Sequence, residues 1–154
     1  MLQRLKVWAF RKYYHFISAR GWKGHPIKPG YNPLQIPGDA GPLHARMYTT
    51  DNSGDKPLII YFHGGGWVIG DLDTHHPFCQ VLSERTGCTV ISVDYRLAPE
   101  HPFPAAHEDC LGATRWIAGH IGDFGPSSGH LVIAGDSAGG NPVSYTHLRA
   151  HETF

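Results

Sequence analysis

Three continuous apolar runs divide the chain: Leu58-Ile59-Ile60-Tyr61-Phe62, Thr89-Val90-Ile91-Ser92-Val93 and Leu131-Val132-Ile133-Ala134. None alternates with polar residues, which is the pattern of strands buried on both faces. Strands are therefore predicted near 58–62, 89–93 and 131–135. Between them the period becomes helical. Phe78, Val81 and Leu82 share one face of a helix over 75–86, which Gly87 stops, and His75-His76 reads as its start. Ala106, Cys110, Ala113 and Ile117 fall at i, i+4, i+7 and i+11, a face for packing on a sheet. Pro104 suits the first turn of that helix, and Glu108 and Asp109 lie near its positive end. Strand, helix, strand, helix, strand predicts an α/β protein with a mostly parallel sheet.

Upstream the pattern is looser. Residues 2–20 read as a basic amphipathic helix, with Leu2, Leu5, Trp8, Phe16 and Ile17 near helical spacing and Gly21 and Gly24 at its end. Residues 24–33, with Pro26, Pro29, Gly30 and Pro33, form a connector. Two short strands, 34–36 and 43–49, flank a turn over 37–42, and 51–55 is a second loop.

Composition narrows the class. The 154 residues amount to about one domain, and 41% apolar with 17% charged residues suits a chain able to build a core. Net charge is zero, yet seven of the 13 Lys/Arg precede the first acidic residue, Asp39. Such an arm can meet nucleic acid or an anionic membrane, but a solvated helix face is the commoner outcome, and no nucleic-acid partner is expected. Cys79, Cys88 and Cys110 lack C-x-x-C spacing, and an odd number makes a poor disulfide framework. They read as small core residues in a reducing, cytoplasmic setting. Val7-Trp8-Ala9-Phe10 is too short and too charged in its flanks for a secretory signal. No run approaches the ~18 apolar residues of a membrane span, so stable membrane insertion is not expected. Of the twelve histidines only His75-His76 form an adjacent pair, nothing near that pair has zinc-ligand spacing, and no metal is expected.

The chemistry gathers at strand ends. Gly135-Asp136-Ser137-Ala138-Gly139-Gly140 follows the third run with the form G-x-S-x-G. That spacing suits a sharp strand-to-helix turn, which holds the serine in strained backbone with its hydroxyl exposed. Glycines lacking Cβ let strand and helix approach. The Ala138 N–H then faces the place where an oxyanion forms. Taken alone, the motif also fits a plain Gly/Ser turn. His63-Gly64-Gly65-Gly66 follows the first run. Consecutive glycines leave N–H groups uncovered, as an oxyanion hole requires. A flexible turn or phosphate cradle is the alternative, although neither G-x-x-x-x-G-K-[ST] nor G-x-G-x-x-G is present.

Together, HGGGWVIGD at 63–71, DYRLAPEHPFPAA at 94–106 and GDSAGGN at 135–141 resemble the hormone-sensitive-lipase-like family of α/β-hydrolases. The resemblance runs from about residue 30 to Asn141. It implies hydrolysis of small carboxylic esters of short to medium acyl chain, without metal or cofactor. It makes Ser137 the nucleophile and the N–H groups of Gly65, Gly66 and Ala138 the oxyanion donors, with Gly64 shaping the loop. Asp136 and 94–106 match supporting positions, and Glu100 is a candidate partner for Arg96, with a solvated loop pair as the alternative. Residues 1–30 resemble the family's cap, and 31–141 the N-terminal half of its hydrolase domain.

The departures carry equal weight. The triad of this fold runs Ser, then Asp/Glu, then His. Only 17 residues follow Ser137, and Glu152, His147 and His151 lie too close to come from later strand ends. The triad acid and histidine are thus expected to be missing, and the chain inactive or nearly so. The family continues after Asn141 with an Ala-rich helix. Here Pro142 would fall a turn inside a helix begun at Ala138, costing ~3 kcal/mol. Residues 142–154 therefore read as a non-native or aberrant tail, unlikely to cover the sheet. Strand 131–135 is expected to be an exposed edge through which chains associate. A non-catalytic module binding small ligands on the same fold is the other reading.

Overall fold

The computed structural model describes residues 2–23, 30–50, 56–125 and 127–150. Of the connector expected over 24–33, residues 24–29 lie outside the described residues and Asn32 and Pro33 instead begin the first strand; the loop over 51–55 and the end of the tail, 151–154, also lie outside the described residues.

A hairpin of β1 (Asn32–Ile36) and β2 (Leu43–Tyr48) opens a five-stranded sheet. β2 pairs antiparallel with β4 (Val90–Val93). β3 (Leu58–Phe62) lies parallel between β4 and β5 (Leu131–Gly135), giving the order β1-β2-β4-β3-β5. Two of the three apolar runs lie inside the sheet, and every residue of β3 and β4 is buried. β5 forms an edge, and Val132 keeps 43% of its surface exposed.

Helices cover both faces, and the two-residue period of β3 divides its side chains between them. Leu58, Ile60 and Phe62 join Ile91 and Val93 beneath α3 (Ala105–Gly119), whose Ala106, Cys110, Ala113 and Ile117 are buried as their spacing required. Ile59 and Tyr61 turn the other way, with Val90, Cys79 and Cys88, beneath α2 (His76–Thr86). Helix α2 carries Pro77 in its first turn and ends at Gly87, whose φ of 71° no branched side chain would tolerate easily.

Helix α1 (Leu2–Gly21) is fastened by polar side chains. Arg11 donates to the carbonyls of Val68 (2.8 Å) and Ala98 (3.1 Å) and to both carboxylate oxygens of Glu100. His15 meets Asp71 at 2.5 Å.

The end of the chain corrects two expectations. Ser137–Gly139 form a 3-10 turn, and α4 (Gly140–Ala150) begins only at Gly140. Pro142 therefore stands in the first turn, where its missing N–H breaks no helical bond. Pro142 and Thr146 are fully buried, and Val143 packs against the α3-side core, so this helix does cover part of the sheet.

Candidate active site

Each glycine motif follows a parallel strand, and the pairing of Phe62 with Gly135 sets them side by side. Asp136 remains extended (φ −105°, ψ 149°), and Ser137 then swings to φ 48°, a left-handed value that is rare for a side-chain-bearing residue. The Gly139 N–H donates to the Asp136 carbonyl at 2.7 Å and closes the turn. The flanking glycines are steric necessities. A Cβ on Gly135 would sit 2.5 Å from the Gly139 carbonyl oxygen, and one on Gly139 would overlap the carbonyl oxygens of Phe62 and His63. Ser137 is thereby exposed above the sheet end, while Ala138 is buried in the first turn, where N–H groups have no helical partner.

The glycine loop is fixed just as tightly. Gly65 (φ 127°) and Gly66 (φ 61°) both hold positive φ. A side chain on Gly64 would strike the Asp136 carboxylate, and one on Gly65 the Ile69 carbonyl. The Gly65 carbonyl accepts from Val68 (3.1 Å) and Ile69 (3.0 Å). Neither the Gly65 nor the Gly66 N–H donates to a protein acceptor among the described residues.

Asp136 joins the two motifs. Its Oδ1 accepts from the Gly64 N–H at 2.7 Å and from the Tyr61 hydroxyl at 2.5 Å, and His75 Nε2 lies 3.6 Å away. Burial alone would raise this carboxyl, but His75, Tyr61 and the Gly64 N–H outweigh it and hold the group well below the usual carboxylate range. Burial, then the bond to Asp136, pushes the Tyr61 hydroxyl far up, so it remains a donor.

His63 is an internal prop. It is fully buried, its Nδ1 lies 2.8 Å from the Gly64 carbonyl, and its ring stacks between Tyr95 (4.4 Å) and His75 (5.3 Å). Burial lowers its pKa to about 4, so the ring is neutral at pH 7. The Tyr95 hydroxyl donates to the His63 carbonyl at 2.5 Å.

The 94–106 segment pairs differently from expectation. Arg96 grips Asp109 through Nε and Nη2 (2.8 Å each), and Asp109 also accepts the Arg96 N–H at 2.9 Å. Glu100 belongs instead to Arg11. An Asp109 side chain only 3% exposed offers a better-desolvated partner than the outer loop does. Beside the glycine loop, Gly66, Trp67, Phe103, His107 and Asn141 line a cavity of about 400 Å³. His107 Nε2 lies 2.6 Å from Asn141 Oδ1 there.

Tyr61 and His75 escaped the sequence reading as site residues, whereas Tyr95 lies within the 94–106 segment that the reading took as supporting the site. Tyr61 lay inside an apolar run, and His75 read only as a helix start. Their shared signal is a polar atom on an otherwise apolar side chain next to a motif, which becomes informative only when the strands are aligned. Among the described residues, no group of three or more His, Cys, Asp or Glu is arranged to hold a metal ion.

A strained serine after one parallel strand, tied through a carboxylate to a glycine loop after its neighbour, defines the α/β-hydrolase class. The α/β-hydrolase fold family matches residues 59–153. Esterase LipI of Mycobacterium tuberculosis is 48% identical over 122 residues, covering 77% of this chain and 38% of its own length. Carboxylic ester hydrolase LipN of the same organism is 47% identical over 119 residues, covering 77% and 32%. Among solved structures, the hyperthermophilic esterase of the archaeon Pyrobaculum calidifontis superposes with a TM-score of 0.86 at 39% identity, over 95% of this chain and 47% of that one. The chain belongs to the α/β-hydrolase fold family, in its hormone-sensitive-lipase-like branch. It spans about a third of the length of these two curated relatives, whose hydrolase names do not favour the binding-module reading.

Proposed function

We propose that this chain carries the nucleophile and oxyanion elements of a serine carboxylesterase. Ser137 Oγ attacks the carbonyl carbon of a small ester. The carbonyl oxygen takes up negative charge and is held by the N–H groups of Gly65, Gly66 and Ala138, with Gly64 setting the loop's path. Collapse expels the alcohol and leaves an acyl-serine, which water hydrolyses. The observation that carries this reading is the 2.7 Å bond from the Gly64 N–H to Asp136, which couples the two motifs beside Ser137. No cofactor enters the scheme.

Activation of the serine needs an adjacent base. His63 is unsuited, being buried, neutral and committed to the Gly64 carbonyl. In this fold, acid and histidine follow the serine in chain order. The test compares hydrolysis of p-nitrophenyl butyrate by this chain and by the full-length gene product. Full-length turnover abolished by Ser137→Ala, with this chain near background, is the expected result. Full turnover by Ser137→Ala would overturn the assignment.

Three further readings belong to the same proposal. Residues 1–30 act as a cap segment over a hydrolase half-domain at 31–141, supported by the docking of α1 on the 68–100 loops. Residues 142–154 are an aberrant tail; the support is the sequence after Asn141, the family match reaching residue 153 stands against it, and resequencing the source DNA past codon 141 decides between them. The protein works in a reducing compartment such as the cytoplasm and self-associates through β5. Three free, buried cysteines and an apolar sheet edge are the respective grounds.

A further inference from the structure

The core strand β3 places one polar atom beside the elbow. Tyr61 is buried, and its ring packs against Phe78 (5.1 Å between centroids) and His75 (6.2 Å). Its register partner is Ala134, and its hydroxyl reaches beyond the end of β5 to Asp136. Asp136 Oδ1 accepts that hydroxyl at 2.5 Å and the Gly64 N–H at 2.7 Å. One carboxylate oxygen thus joins a rigid side chain of the sheet core to the backbone of the glycine loop.

The loop is held on both sides of Gly64. Its N–H is bound to Asp136, and its carbonyl lies 2.8 Å from His63 Nδ1. A trans peptide is planar, with the C=O and the following N–H on opposite edges. Keeping the Gly64 carbonyl toward His63 therefore aims the Gly65 N–H the other way. The two anchors differ in how they are fixed. His63 is fully buried and stacked on Tyr95. Asp136 stands on the elbow itself, next to the strained Ser137, and the tyrosine hydroxyl is what ties its carboxylate to the core. The same bond has an electrostatic consequence. A carboxylate adjoining an oxyanion hole opposes the negative charge that develops there, and a second donor on its oxygen offsets that repulsion.

We propose that Tyr61 is a positioning residue of the oxyanion hole: its hydroxyl holds Asp136 so that the Gly64–Gly65 peptide keeps the Gly65 N–H aimed at the ester oxygen. This inference rests on the carboxylesterase reading above. The contacts it uses run between β3, the glycine loop and the elbow, all within this chain, and none depends on an exposed surface. Tyr61 touches no substrate and transfers no proton; it acts through Asp136. The ester oxygen gains its negative charge only on the way to the tetrahedral intermediate. A tilted donor should therefore lower kcat and kcat/KM together and leave KM nearly unchanged.

Tyr61→Phe keeps the ring and removes one oxygen. The first measurement is made on this chain and needs no turnover: NMR of isotope-labelled glycine amides. Gly64 and Gly65 should shift, and the Gly64 amide should exchange faster with water. Gly112 and Gly119, in α3 on the other face of the sheet, should not move. The second measurement uses the full-length gene product and p-nitrophenyl butyrate. There kcat should fall about ten- to a hundredfold, a smaller loss than the ~10²–10³-fold for deleting an oxyanion donor outright, with KM within about twofold. Tyr61→Phe added to Asp136→Ala should cost little more than Asp136→Ala alone. Unmoved Gly64 and Gly65 amides, a raised KM with kcat intact, or the same loss with and without the Asp136 carboxylate would overturn the proposal. So would movement of the Gly112 and Gly119 amides as well, because the hydroxyl would then hold the fold rather than the loop. Turnover surviving Ser137→Ala strikes the carboxylesterase reading and leaves the amide result standing.

Discussion

Strands β3 and β5 are neighbours with almost the same kind of sequence, yet they hold the two halves of the site in different ways. Ile60 and Ile133 are register partners in the parallel ladder, but Ile60 is fully buried while Ile133 is only partly so. β3 is wrapped by β4, β5 and helices on both faces, and its loop is propped by the buried His63 and Tyr95. Among the described residues of this chain β5 has one neighbour, and its elbow depends on contacts reaching back to β3: the bond from Tyr61 to Asp136 and the steric fit of Gly139 against Phe62 and His63. The core strand is a platform, and the nucleophile turn is clamped to it from the edge. Apolar sequence alone does not distinguish these roles; position in the sheet does.

The largest effect follows from that asymmetry. Ile60→Ala should cost about 2–5 kcal/mol, the range for emptying a buried aliphatic site. Ile133→Ala, with water already near the side chain, should cost about half as much or less. Urea denaturation of both variants measures the difference. Equal losses would mean that β5 is packed as firmly as β3 and that the edge is only nominal.

Acid should separate the two loops by pH window. The folded-state pKa of His63 is depressed from 6.5 to about 4 by burial, so the unfolded chain binds the extra proton first. Stability tied to His63 is complete above pH ~6.5 and falls by about 3 kcal/mol as pH drops toward ~4. The depressed carboxyl of Asp136 acts lower: its contribution is present above the ordinary carboxylate value near ~4 and is lost as pH falls further. Its side chain is 47% exposed, so solvent screening limits that loss to about 1 kcal/mol. Stability measured against pH should lose its upper slope in His63→Phe and its lower slope in Asp136→Asn. An unchanged upper slope in His63→Phe would show that another group carries it.

How much of this was readable beforehand depended on whether a feature was local. The strands at 58–62 and 131–135, the α2 stop at Gly87 and the buried face of α3 came directly from period and glycine placement. The positive φ of Ser137 also follows from local spacing. Pairings across the fold were not readable. Arg96 sits four residues from Glu100 in sequence but meets Asp109 of α3, while Glu100 meets Arg11. The start of α4 at Gly140 was misplaced by two residues, enough to turn Pro142 from a helix breaker into a first-turn residue. Nothing in a one-dimensional pattern reports that the elbow spends three residues in a tighter turn first.

The smallest effect on folding should accompany a clear effect on association. Val132 is the most exposed large apolar residue of β5, and no Lys or Pro blocks that strand. An unblocked edge offers unpaired N–H and C=O groups, and an apolar side chain next to them adds a second incentive to pair. Val132→Lys places a charge that water can solvate at the edge but that a pairing strand would have to bury. Because the site is already 43% exposed, folding stability should change by no more than about 0.5 kcal/mol. Association read by size-exclusion chromatography over a dilution series should fall toward monomer. Ile133→Ala makes a useful contrast, since it weakens packing without charging the edge and should leave association no lower. Association unchanged in Val132→Lys would mean that β5 is not the contact, and loss of association in Trp8→Ser instead would move the contact to α1.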